Sequence, residues 1–173
     1  YSTLSVKDVA RDLTFKMFIN QKWIDNINNE FGGYKGRKLP NANEVTTIEE
    51  YLTILRAFKE LDANLNDDAN DEIPVTSKSL EYLRNFILAS YGYVSTGAEI
   101  ENDNSKYSYV PYQEAYRKYL QIARTMWDEG LMDVSTFSNK TDNQMAQNGV
   151  KNRLGSFPAA AAYLIVGYDL EEN

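Results

Sequence analysis

An α/β domain, with helices packed on a small sheet, is what this sequence predicts, and three observations point to it. Apolar residues recur at helical spacing in three long stretches, at residues 47–60, 80–91 and 112–129. Short extended runs separate them, at residues 13–19, 73–76, 106–110 and 153–157. The length, 173 residues, is that of one ordinary domain with room for a real core. Amphipathic helices interleaved with short strands bury their apolar faces by stacking in layers.

Each element has its own local cause. In residues 13–19, Leu13, Phe15 and Met17 alternate with Thr14 and Lys16 before the run turns fully apolar, the pattern of a half-buried strand. Residues 20–29 put Trp23, Ile24 and Ile27 on one face of a short helix, and Gly32, Gly33 and Gly36 make residues 31–36 a loop. The clearest start is Thr47, whose hydroxyl can accept from the Glu50 amide while the Glu50 carboxylate reaches back, a capping box. Ile48, Tyr51, Leu52, Leu55 and Phe58 then carry a helix to about Glu60. A dense polar loop, residues 62–72, ends it and feeds the extended Ile73-Pro74-Val75-Thr76.

Leu80, Leu83, Ile87 and Tyr91 mark the next helix, stopped at Gly92, and residues 99–105 read as a charged turn before an edge strand at 106–110. The longest helix is predicted over 112–129, striped by Tyr112, Ala115, Tyr116, Tyr119, Ala123, Met126 and Trp127 and capped by Gly130. Residues 135–148 read as helical with Phe137 and Met145 inward and Gly149 after them. Residues 153–157 read as a strand, after which Pro158 is placed to open a helix through the alanines.

Composition excludes several chemistries. Eighteen Lys and Arg against twenty-five Asp and Glu leave a net charge of −7, which speaks against tracking a phosphate backbone, so no nucleic-acid partner is expected. The chain has no Cys and no His. Disulfides, thiolate nucleophiles, Ser-His pairs and Cys- or His-ligated zinc are therefore out of reach, and any metal must be held by oxygen. No apolar run approaches the length of a membrane span, and the start at Tyr1, with neither Met nor a basic apolar leader, suggests a processed chain or a piece of a larger one. Gly32-Gly33 lacks the spacing and the Lys-Ser/Thr of a phosphate loop. Arg56, Lys59, Arg117, Lys118 and Arg124 read as solvated helix faces, some paired with acids four residues away.

One stretch carries chemistry. Asp62, Asn64 and Asn66 place oxygen donors at alternate positions and Asp71-Glu72 closes the loop, with Asp67 and Asp68 between them. A hard cation such as Ca²⁺ takes six to eight oxygen ligands and suits a loop of this kind. Two departures from the EF-hand pattern stand out: Asp67 occupies the glycine position, and the closing acid arrives at the eleventh residue instead of the twelfth. The same residues also suit a solvated acidic turn, since Asn and Asp favour turns and charge runs face water.

Around this loop the sequence resembles a known family. Thr46-Thr47-Ile48-Glu49-Glu50-Tyr51 through Ala57-Phe58-Lys59-Glu60, then Asp62-Ala63-Asn64, then Asp71-Glu72-Ile73-Pro74, is similar to the extracellular solute-binding proteins of ABC importers. The nearest group is the lipoprotein-type oligosaccharide binders of Gram-positive bacteria, with the related alginate-oligosaccharide binders. Phe18 to Asp25, the Trp127-Asp128-Glu129-Gly130-Leu131 helix end and Arg153-Leu154-Gly155-Ser156-Phe157 resemble further motifs of the family, in its order, from about residue 15 to about residue 160.

The resemblance implies one helix-rich lobe, with a small mixed sheet, of a periplasmic-binding-protein-like type II clamshell, so that residues 1–173 form a single domain and most of that lobe. It implies a non-enzymatic component that captures extracellular sugars or oligosaccharides for ABC permease subunits. The protein would work at the cell surface, or in the periplasm of a Gram-negative cell, and reach the membrane only through an anchor absent from this chain. The remaining lobe would close on the ligand, with residues 1–12 and 169–173 near the hinge. A structural Ca²⁺ is implied, held by Asp62, Asn64, Asn66, Asp71 and Glu72, with Asp68 adding its carbonyl or carboxylate. Thirteen Tyr, seven Phe and two Trp invite a sugar-stacking reading, although Tyr112, Tyr116, Tyr119 and Trp127 fall on a helical stripe and read as core. Trp23, just after a strand end, and Phe157, at the end of the late strand, are the ligand-binding candidates. The alternatives are a fragment of a carbohydrate-active hydrolase working through two carboxylates, and a calcium-stabilised surface or adhesion module.

Overall fold

The computed structural model describes residues 16–93, 98–100, 107–137 and 142–167. Strand β1 (Lys16–Ile19) runs into helix α1 (Gln21–Glu30), which starts where the Asn20 side chain accepts from the Trp23 amide at 3.2 Å. Helix α2 (Ile48–Glu60) has the predicted capping box: Glu50 N donates to Thr47 Oγ1 at 3.2 Å and Thr47 N to Glu50 Oε2 at 3.0 Å. Its apolar stripe buries Tyr51, Leu52, Ile54, Leu55, Ala57 and Phe58. Helices α3 (Leu80–Ala89) and α4 (Glu114–Asp128) follow, with the hairpin β2 (Ala98–Ile100) and β3 (Tyr107–Tyr109) between them. Helix α5 (Asp142–Val150), strand β4 (Ser156–Ala159) and the short helix α6 (Tyr163–Val166) complete the order.

The sheet is small and mixed. β1 pairs antiparallel with β4, Phe18 opposite Phe157. Parallel bridges Ile73 to Leu154 and Val75 to Met132 extend it, with Ile73 N donating to Arg153 O at 2.8 Å and Val75 N to Leu131 O at 3.1 Å. The spatial order is thus 131–133, 73–76, 153–159, 16–19. The amides of Ile73, Val75 and Thr76 carry the central ladder, so the missing N–H of Pro74 costs it nothing.

Helix α2 lies directly on this sheet. A Cβ on Gly155 would stand 2.4 Å from Phe58 Cδ2 and 3.0 Å from Pro74 O, so only glycine lets strand and helix approach so closely. The main core joins α1 to α4 through Trp23, Ile27, Leu55, Phe58, Leu83 and Met126. A smaller cluster gathers Met145, Leu154, Phe157, Ala159 and Ile165 where α5 and α6 meet β4.

Several sequence expectations need correction. The long helix begins at Glu114, because Val110–Tyr112 forms a separate 3-10 turn around Pro111 and Gln113 is extended. Tyr112 therefore leaves the stripe and is 87% exposed. Trp127 is half exposed as well, since it lies 100° round the helix from the buried Met126 and both cannot face one core. Of the predicted helix 135–148, residues 138–141 lie outside the described residues, Val134–Phe137 is a 3-10 turn, and α5 runs on through Gly149; Met145 is buried, but Phe137 is half exposed and meets Trp127 edge-on at 5.0 Å. Pro158 pairs within β4 opposite Met17 and opens no helix. Residues 13–15 of the first expected strand, most of the 99–105 turn and both expected hinge segments lie outside the described residues.

Candidate acidic-loop site

Loop 62–72 leaves the end of α2 and enters the central strand at Ile73, so both of its stems are anchored in the core. Inside it the side chains hydrogen-bond to one another. Asp62 accepts from the backbone amides of Asn66 at 3.1 Å and Asp67 at 2.9 Å. Asn64 Oδ1 also accepts from the Asn66 amide at 3.1 Å, and Asn66 Oδ1 accepts from the Asp68 amide at 2.9 Å. Glu72 Oε1 reaches back to the Ala63 amide at 2.9 Å, closing the loop across its stems. Asp67 takes the left-handed turn that the glycine comparison required, with φ +68°, and Leu65 is left-handed too at +56°.

Asp71 is the hub. Its Oδ1 accepts from Asn64 Nδ2 at 3.0 Å, and its Oδ2 from Asn66 Nδ2 at 3.0 Å and Arg153 Nε at 2.8 Å. Burial alone would raise the Asp71 carboxyl, but these donors outweigh it and hold it below the usual carboxylate range. Glu72 goes the other way: burial pushes its carboxyl up, and its Oε2 is buried without a hydrogen-bond partner. Hydrogen bonds thus tie the Asn64 and Asn66 side chains to Asp71, Asp62 to the Asn66 and Asp67 amides and Glu72 to the Ala63 and Asn64 amides, while the Asp68 side chain accepts from Asn70 instead.

This donor set fits a hard cation in composition, being all oxygen with one orphaned carboxylate oxygen. Among the described residues no group of three or more carboxylates stands close enough to hold a metal alone. A cation would therefore need the oxygens of Asn64 and Asn66 as well, and their amides here turn Nδ2 toward Asp71.

Two residues absent from the predicted set tie the loop to the sheet. Arg153 supplies the guanidinium on Asp71, and Asn152, left-handed at φ +54°, accepts from Asn64 Nδ2 through its carbonyl at 3.4 Å. Asn152 Oδ1 also accepts from Trp23 Nε1 at 3.1 Å and Asn20 Nδ2 at 3.3 Å. The sequence signal available was the family-like Arg153-Leu154-Gly155 run, which points to a strand and says nothing of a partner 82 residues away.

Trp23 itself is 0% exposed, its ring edge-on to Phe58 at 5.1 Å. Phe157 is 5% exposed and packs on Phe18 at 5.7 Å. Both rings are thus buried among the described residues. Two open grooves, of about 580 and 750 Å³, flank the start of α2; both are lined by Glu49 and Arg56, and by neither aromatic.

At the opposite edge of the central strand a second aspartate is surrounded by hydroxyls. Asp133 Oδ2 accepts from Thr76 Oγ1 at 2.9 Å and from the Ser135 hydroxyl, while Oδ1 accepts from the Ser135 amide at 2.9 Å. Thr76, Ser77, Ser135 and Thr136 around it are all buried.

No protein-family model matches the sequence, and no curated protein is similar enough in sequence to match it. Solved structures do match in fold. The S. pneumoniae ABC-transporter substrate-binding protein FusA in complex with kestose superposes with a TM-score of 0.66 at 20% identity over 90% of this chain, and an EF-hand mutant of FusA with fructo-nystose gives 0.68 at 19%. An extracellular solute-binding protein from Bifidobacterium longum subsp. infantis gives 0.69 at 22% over 91% of this chain. An HMO-binding, ABC-transporter-associated solute-binding protein from B. longum infantis gives 0.67 at 23% over 92%. This chain spans 29–32% of the length of those proteins. With its helix layer on a small mixed sheet, the chain carries the fold of a lobe-sized part of an ABC-transporter substrate-binding protein.

Proposed function

We propose that the chain is one lobe of an extracellular, non-enzymatic binding protein that captures oligosaccharides and delivers them to the permease subunits of an ABC importer, with loop 62–72 binding a structural Ca²⁺. The observation that carries the first part is the fold match over nine-tenths of the chain to three such proteins, two of them named for sugar ligands. The second part is supported by the oxygen-bearing side chains that the loop carries from Asp62 to Glu72 and by the EF-hand for which a FusA mutant is named. When bound, the cation would neutralise the clustered carboxylates and lock the crossing from α2 into the central strand. The chain's own part is to fix both stems in the core and to offer Glu72 Oε2 as an unpartnered oxygen. Asn64, Asn66, Asp62, Asp71 and Glu72 would hold the ion, with Asp68 at the rim. The remaining lobe would lie on the rest of such a protein.

Sugar capture is tested by thermal shift and calorimetry of the protein, including its second lobe, against a panel of neutral and acidic oligosaccharides. A saturable, ligand-specific rise in unfolding midpoint is expected. Hydrolysis of chromogenic glycosides without a retained ligand would overturn the binding-protein reading in favour of a hydrolase fragment.

A further inference from the structure

We propose that the larger groove beside the start of α2 binds an oxyanion-bearing ligand, one with a carboxylate, sulfate or phosphate group, with Tyr34 as its buried hydrogen-bond donor and Lys35, Arg37 and Lys38 as its charged rim. This site is separate from loop 62–72 and needs no cation. The groove measures about 750 Å³, within the range of small-ligand sites. Tyr34 lines it and is only 7% exposed, and its hydroxyl is buried without a hydrogen-bond partner among the described residues. Buried polar groups are nearly always paired, so an orphaned donor on a groove wall points to an acceptor that a ligand brings. Burial raises the Tyr34 pKa, which keeps the hydroxyl a neutral donor.

The three cations are held on a stapled turn. Tyr34 and Arg37 exchange backbone hydrogen bonds of 2.8 and 3.1 Å around Lys35 and Gly36, both left-handed at φ +50° and +76°, a two-residue hairpin turn. Gly33 seats it, since a Cβ there would stand 2.1 Å from Arg37 O. Beyond the turn, Asn28 accepts from Leu39 N at 2.7 Å and donates to Leu39 O at 3.0 Å. Lys35, Arg37 and Lys38 are exposed, and none of them forms a salt bridge among the described residues. Of the other charged residues in the lining, Arg56 is committed to Glu129, and Glu50 to the Thr46 and Thr47 amides of the α2 cap. Only Glu49 opposes the three free cations, so the groove carries surplus positive charge in a chain whose net charge is −7. A rigid turn presents that charge with little ordering cost on binding.

The test is calorimetric titration of the protein, its second lobe included, with inorganic phosphate, sulfate and glucuronate at constant ionic strength, and glucose as the neutral control. At least one anion should bind saturably, with Kd of about 1 mM. The double variant Arg37→Gln, Lys38→Gln should weaken it about tenfold, and Tyr34→Phe about three- to tenfold. Lys151→Gln, an exposed cation outside the groove, should leave it unchanged. Preference for glucuronate would assign the site to the carboxylate of an acidic saccharide, and preference for phosphate or sulfate to a tetrahedral oxyanion. Absence of saturable binding, an equal response to glucose, or an equal loss in Lys151→Gln would overturn the site. So would binding that either groove variant leaves unchanged; Tyr34→Phe removes one oxygen atom, and its unfolding midpoint checks that the fold is kept.

Discussion

The two ends of the central strand, residues 73–76, present two aspartates held by different chemistry. Asp71, at its entry, is held by one guanidinium and two amide side chains in a partly exposed loop. Asp133, on the neighbouring segment at its exit, is held by two hydroxyls and one backbone amide among buried Thr and Ser. Neutral donors fixed by the sheet satisfy a carboxylate permanently. A charged donor on a flexible stem and rotatable amides satisfy it exchangeably. The contrast sets a rigidly held carboxylate at one end of the strand against an exchangeably held one at the other.

Substitutions at the two edges should separate accordingly. Asp133→Ala is expected to cost the most, about 2–4 kcal/mol by denaturant unfolding, because it removes the acceptor that the Thr76 hydroxyl and the Ser135 hydroxyl and amide share in buried surroundings. The loss should be the same in Ca²⁺ and in chelator; a calcium-dependent loss would erase the distinction between the edges. Asp71→Asn should cost less in chelator, about 1 kcal/mol, since Arg153 can turn to water, yet it should abolish any Ca²⁺-dependent gain.

Asp67→Gly should go the other way. At φ +68° glycine relieves a left-handed strain, giving about 0.5–1 kcal/mol of added stability in chelator and tighter Ca²⁺ binding. A loss of stability would show that the Asp67 side chain supports the turn. The smallest effect is expected at a carboxylate outside both edges, Glu129, which accepts from Arg56 Nε at 2.5 Å and Nη2 at 2.8 Å. The Arg56 guanidinium lowers the Glu129 pKa, so its stability contribution is present above the ordinary Glu value and is lost as pH falls through the depressed one. Glu129→Gln should therefore flatten stability slightly as pH falls below the ordinary Glu value, by well under 1 kcal/mol because the pair is partly exposed and screened by solvent. An unchanged acid profile would mean that the pair contributes nothing.

How much of this was legible in the sequence depended on the range of the interaction. The capping box of Thr47 and Glu50, the α2 stripe, the Asn20 start and the left-handed turn at Asp67 are local, and local spacing revealed them. Trp127 and Tyr112 misled, because periodicity says that a stripe exists but not where a helix starts, and the 3-10 turn at Pro111 shifts the phase. Phe157 looked like a strand-end ligand group, but α5 and α6 pack over it. Arg153 and Asn152 were invisible as loop partners, since sheet pairing between Ile73 and Leu154 is what brings them there. The Asp133 nest likewise joins residues 57 apart, through the Val75 to Met132 bridge.

The most direct test of the account is thermal unfolding of the chelated protein with and without Ca²⁺, with Mg²⁺ as control. An ion that binds only the folded state adds RT ln(1 + [L]/Kd), about 2.7 kcal/mol at a hundredfold excess over Kd. A Ca²⁺-selective rise in midpoint that Asp71→Asn removes and Asp133→Asn leaves in place is the predicted result. No rise at any Ca²⁺ concentration, or one equalled by Mg²⁺, would contradict the claim that the entry edge of the central strand is a calcium loop.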